Sequence, residues 1–175
     1  QQACGDARLQ PTKGGMVQCL DEATGRVLWR LATPNRGKDR LPPEAHYGQQ
    51  HCGTCSSPAV AGKRAYVLSS ACEIVCLDVD GLANGNDGPF RDEGRYMAGS
   101  GKPPVPLQPD DADILWLCDL VNELGVCPHD VASCSVRVDG RFVYSTTSNG
   151  VDGPHAKCPR PDAPSFIALD AKTGR

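Results

Sequence analysis

The sequence predicts an all-β chain, on three observations. Short alternating and β-branched runs recur between turns rich in Gly, Asp and Ser. Residues 57–66 (Ser-Pro-Ala-Val-Ala-Gly-Lys-Arg-Ala-Tyr) return as residues 135–144 (Ser-Val-Arg-Val-Asp-Gly-Arg-Phe-Val-Tyr), at a constant offset of 78. Gly (19) and Pro (15) make up about a fifth of the 175 residues, against an average usage of roughly 12%.

A second repeated segment closes each unit. It reads Cys19-Leu20-Asp21-Glu22-Ala23-Thr24-Gly25-Arg26-Val27-Leu28-Trp29 early in the chain and Ala168-Leu169-Asp170-Ala171-Lys172-Thr173-Gly174-Arg175 late in it. Between them, Cys76, Leu77 and Asp78 repeat the first half, and Ile114, Leu115 and Trp116 the second. The Asp-x-x-Thr-Gly stretches are turns, with Gly taking the positive φ and Asp and Thr bonding nearby amides. Asp21, Gly25, Trp29, Asp78, Trp116, Asp170 and Gly174 are therefore the structural marks of the repeat.

These segments order the elements into units of four antiparallel strands. The first unit supplies its last two, 16–21 and 26–31. The second supplies all four, 55–61, 64–70, 73–79 and 113–118, with an insertion at 81–112. The third supplies three, 133–139, 141–147 and 164–170. Hairpin turns are expected at residues 61–63 and 139–141. The apolar spacing of 111–124 also fits a helix, but the repeat match at 114–116 favours a strand at its centre. Residues 99–109 read as an extended Pro-rich linker without a core.

Composition excludes several classes. The apolar content is that of a globular chain, and no run approaches the roughly 20 apolar residues of a spanning helix. A net charge of −3 leaves no electrostatic footprint for nucleic acid. Ten cysteines exceed cytosolic habit and point to an oxidising compartment or a metal site.

Four-stranded units in series imply a β-propeller. The motif Leu-Asp-x-x-Thr-Gly-x-x-x-Trp resembles the tryptophan-docking repeat of the pyrroloquinoline-quinone-like (quinoprotein alcohol dehydrogenase-like) propellers. The stretches 56–60, 75–90, 123–126 and 164–170 are similar to a subgroup of those repeat proteins common in planctomycete bacteria and exported in them. On that resemblance, residues 1–175 form one incomplete propeller segment of about two to two and a half blades. Residues 1–31 end one blade, 55–118 form a full blade, and 133–175 most of the next. The expectation is an internal portion of a larger propeller, completed by the remaining blades or by another chain, in the periplasm or outside the cell.

The resemblance implies two functions. One is a non-catalytic binding or scaffold propeller with a protein or polysaccharide partner. The other is a PQQ-dependent oxidoreductase with quinone and calcium on the propeller axis. The chain has neither the adjacent-cysteine pair often found in that enzyme family nor an identifiable catalytic Asp, so the scaffold is preferred.

Candidate site residues follow from loop topology. Loops at 32–54, 71–72, 119–132 and 148–163 are expected on one face, carrying His46, His51, Cys52, Cys72, Cys127, His129, His155 and Cys158, with Cys55 at the border. His51, Cys52, Cys55 and His129 are the candidate transition-metal ligands, since imidazole and thiolate suit such ions. Cys52 and Cys55 form a C-x-x-C, but Ser56 follows where covalent haem attachment needs His. At least two disulfides are expected among these loop cysteines. The oxygen-rich insertion offers a calcium alternative, Asp78, Asp80, Asn84 and Asp87, although it fits no EF-hand register. Cys19 and Cys76 fall where the third unit has Ala168, which marks them as inert core thiols. Trp29 and Trp116 are expected to pack between units, each indole bonded to a neighbouring carbonyl.

Overall fold

The computed structural model describes residues 14–34, 36, 40–46 and 53–175. Nine strands form three antiparallel sheets. The first sheet pairs β1 (Gly14–Leu20) with β2 (Val27–Pro34). The second is a four-stranded meander of β3 (Ala59–Ala61), β4 (Arg64–Leu68), β5 (Glu73–Asp78) and β6 (Ile114–Asp119). The third joins β7 (Arg137–Asp139), β8 (Phe142–Thr146) and β9 (Phe166–Asp170). The chain is thus all-β, with each strand at its expected place in sequence. Both β3 and β7 are shorter than the repeat suggests; β3 starts only after Pro58, which has no N–H to donate to a ladder.

Residues 114–119 are a strand, and the helical pattern survives only in α2 (Leu120–Leu124), after α1 (Glu93–Ala98) in the insertion. Asp119 sets that boundary by accepting from the backbone N–H of Val121 and Asn122 at 3.1 and 3.2 Å. The linker reading of 99–109 needs correction. These residues lack regular structure, yet Val105 is buried with Tyr96 and Met97, and its N–H donates to Gly94 at 3.0 Å.

The core lies on both faces of the second sheet. Strand β5 is buried along its whole length, as a central strand of apolar sequence should be. One face carries Ala65, Val67, Val75, Leu77 and Ile114 against Val17, Trp29 and Leu31 of the first sheet. The other carries Tyr66, Leu68, Ile74 and Trp116 against Val143 and Leu169 of the third, with Val136 just ahead of β7. Each fully buried aliphatic side chain here contributes about 1.5–3 kcal/mol relative to exposure.

The same device joins both pairs of sheets. Trp29 Nε1 donates to Val79 O at 2.8 Å, and Trp116 Nε1 to Ala171 O at 3.1 Å. Val79 and Ala171 each follow the last residue of a corresponding strand, β5 or β9. Each indole lies under a glycine: a Cβ on Gly81 would meet Trp29 at 2.7 Å, and one on Gly174 would meet Trp116 at 2.5 Å. Behind each tryptophan sits a corresponding cysteine, Cys19 opposite Trp29 and Cys76 opposite Trp116. Among the described residues no helix is long and apolar enough to cross a membrane.

Candidate metal centre

Three separate loops meet at one end of the second and third sheets. One, between β2 and β3, carries His46; the β6–β7 connection carries His129 and Asp130; the β8–β9 loop carries His155. Backbone bonds stitch them together. Asp130 N–H donates to His46 O at 3.0 Å, Gly150 N–H to Cys127 O at 2.9 Å, and Ala45 bridges Asp152. The Asp152 carboxylate closes the third loop by accepting from Ala156 and Lys157 N–H at 2.7 and 3.2 Å.

His129 sits at the centre. Its Nδ1 lies 2.9 Å from Val151 O. A carbonyl only accepts, so Nδ1 carries the proton and Nε2 is the nitrogen free to bind. That Nε2 lies 3.1 Å from Nε2 of His155. Two N–H groups cannot face one another at this distance, so at least one of the pair presents a lone pair. His46 stacks on His129 with centroids 4.9 Å apart, while its Nδ1 meets Asp130 Oδ1 at 2.7 Å. The other oxygen of Asp130 is 3.7 Å from His129 Nε2. Ligand atoms of His46, His129 and Asp130 all lie within 4.8 Å of one another.

The backbone is bent to make this arrangement. Asp130 and His155 both hold left-handed φ, 59° each, which L-residues adopt at a cost. Gly150 lets the third loop approach: a Cβ there would stand 2.7 Å from Cβ of His129.

The donor set suits a borderline transition cation. Nitrogen ligands bond zinc at about 2.0–2.1 Å, so two of them at a tetrahedral angle stand roughly 3.3 Å apart. The Nε2 pair is close to that spacing. A carbonyl behind a ligating imidazole is the usual outer partner that fixes its tautomer.

Of the four sequence candidates, His129 is at this centre. His51 and Cys52 lie outside the described residues. Cys55 is exposed, with its Sγ 3.5 Å from Gly53 O. His46 and His155 were legible only as neighbours on the same face, and Asp130 not at all. The calcium alternative divides. Asp80 pairs with Lys63 Nζ at 2.7 Å and Asn84 is exposed in the 3-10 turn Gly81–Asn84, whereas Asp78 and Asp87 converge on Asp113.

The expected disulfides are not formed among the described residues, where Cys19, Cys55, Cys72, Cys76, Cys118, Cys127, Cys134 and Cys158 are all free thiols. Burial explains much of this. Cys72 and Cys127 are core residues, and desolvation pushes the Cys72 thiol up to about 12. Cys158 faces the Asn149 amide at 3.8 Å.

A cleft of about 570 Å³ lies elsewhere, lined by Arg36, Arg40, Arg95, Asp92 and Asp119 among others. Its buried Glu73 is fully engaged, by Arg36 at 3.1 Å, Tyr96 at 2.8 Å and Ser69 at 3.1 Å. Among the described residues these charges pair with one another, Arg36 with Glu73, Arg40 with Asp119 and Arg95 with Asp92. Compared with known proteins, the chain matches no family model and no curated sequence.

Proposed function

We propose that this chain is part of an exported β-propeller of the pyrroloquinoline-quinone-like repeat type. It serves as a non-catalytic binding scaffold whose loop face holds a divalent transition metal on His46, His129, Asp130 and His155. The observation that carries the metal reading is the Nε2 pair of His129 and His155 at 3.1 Å, with the first ring fixed by Val151 O. Neutral imidazoles and one carboxylate favour zinc within this class. The bound ion closes three loops into a rigid rim, against which a protein or polysaccharide partner docks.

The propeller reading rests on equivalence between sheets. The face of the second sheet that bears Tyr66 and Ile74 is buried against the third. Its counterpart on the third sheet bears Tyr144 and Phe166, stacked at 6.1 Å, with Phe142 tilted beside them. Phe166 is 62% exposed there and Phe142 39%. Aromatic side chains at the positions of a buried face belong under a further blade, from the same polypeptide or another.

Titration of zinc into the metal-stripped protein tests the function. One ion per chain is expected for wild type, with binding weakened by at least about 10- to 100-fold in His129→Ala and His155→Ala, since losing a ligand costs no less than losing its outer partner. Wild type that takes up no zinc, or variants that bind as well as wild type, would refute it.

A further inference from the structure

The insertion between β5 and β6 builds a second, chemically different cluster. Asp78 closes β5, Asp113 precedes β6, and Asp87 comes from the loop between them; their carboxylate oxygens can lie within 4.8 Å of one another. The backbone fixes this convergence. Asp78 N–H donates to Asp113 O at 3.0 Å, and Asp87 N–H donates to Asp113 Oδ2 at 2.8 Å across 26 residues. Asp78 Oδ1 accepts from Asp80 N–H at 2.7 Å, which turns Asp80 itself toward Lys63.

The decisive atom is Asp113 Oδ1. Asp113 is fully buried, and this oxygen has no hydrogen-bond partner. Glu93, also fully buried, adds a fourth carboxylate beside it, with oxygens occupied by Asn86 Nδ2 at 2.9 Å and Ile114 N–H at 3.3 Å. Among the described residues none of these four carboxylates is in an ion pair. Buried carboxylates persist when paired or when they coordinate a cation.

We propose that Asp78, Asp87 and Asp113 hold one calcium ion, which fixes the insertion to the second sheet. The ligands are all hard oxygens, one from the end of β5, one from the residue before β6 and one from an exposed loop position. That mixture of rigid and adaptable donors suits the roughly six to eight flexible oxygen contacts of calcium better than the strict octahedron of magnesium. An EF-hand register misses the site because Asp113 lies far beyond any twelve-residue loop.

The test is calcium titration by calorimetry on the whole protein after chelator treatment, with thermal melting on the same samples. Wild type should take up one Ca²⁺ per chain and melt higher in about 1 mM calcium than in chelator. Asp113→Asn should bind at least about tenfold more weakly, yet melt in chelator at or above wild type, since the unpaired buried charge is gone. Asp87→Asn changes only an exposed residue, so it should fold as wild type and also lose at least about tenfold in affinity. No calcium uptake by wild type at about 1 mM, or both variants within about twofold of wild type, would overturn the proposal. So would magnesium matching the full calcium effect at equal concentration.

Discussion

Trp116 Nε1 reaches across the junction of the second and third sheets to donate to Ala171 O at 3.1 Å. Tyr66 Oη and Arg64 Nη1 converge on the same oxygen, at 3.1 and 2.9 Å. The carbonyl is thereby a hub that ties the end of β9 to β4 and β6. Trp29 and Val79 repeat the central bond one sheet earlier.

This hub predicts a graded stability series. Trp116→Phe removes the indole bond and keeps an aromatic ring, and should lose about 1 kcal/mol. Trp116→Ala should lose about 3–5 kcal/mol through the cavity it leaves. Gly174→Ala should also destabilise, because its φ is +74° and a Cβ would strike the indole. Urea unfolding of the three proteins measures this, and a neutral Trp116→Ala would show that the tryptophan does not join the sheets.

A pH dependence follows from Asp170. The Arg141 side chain, at 2.6 Å, leads in holding this carboxyl down to about 2; Lys172 and Thr173 N–H and the Thr173 hydroxyl add to it. The folded value lies below the unfolded one. Its stabilising contribution is therefore present above about pH 4 and is lost as pH falls toward 2. Carboxyl NMR titration should show the Asp170 midpoint rising in Arg141→Met; an unmoved midpoint would contradict the assignment.

Thiol chemistry gives a third prediction. Burial pushes Cys72, Cys76 and Cys118 up to about 12. Cys134 is different: against the push of burial, hydrogen bonds from Thr146 and then Ser145 hold it below the usual thiol value. Native alkylation should label Cys134 and exposed Cys55 first, and reach Cys72, Cys76 and Cys118 only on unfolding. Early labelling of Cys76 would contradict its place in the core.

What the sequence revealed was the part that repeats. Strand order, the tryptophan bonds and the buried Cys76 were all legible because each copy checks another at a fixed offset. The histidine cluster was legible only as a face. Loop topology put His46, His129 and His155 together, but their ranking needed distances, and Asp130 depends on a left-handed bend that no spacing reveals. Disulfides were a wrong expectation for the described cysteines. The count of ten suggested pairing, whereas several of those thiols fill small apolar positions. Asp113 was missed because its partners arrive through a long insertion, and sequence reading looks for ligands within one loop.

X-ray absorption fine structure at the zinc edge of the zinc-loaded protein tests the central claim most directly. The account predicts a first shell of imidazole nitrogens with one carboxylate oxygen, all at about 2.0–2.2 Å, and no sulfur. A scattering shell at about 2.3 Å would identify a thiolate ligand and contradict it.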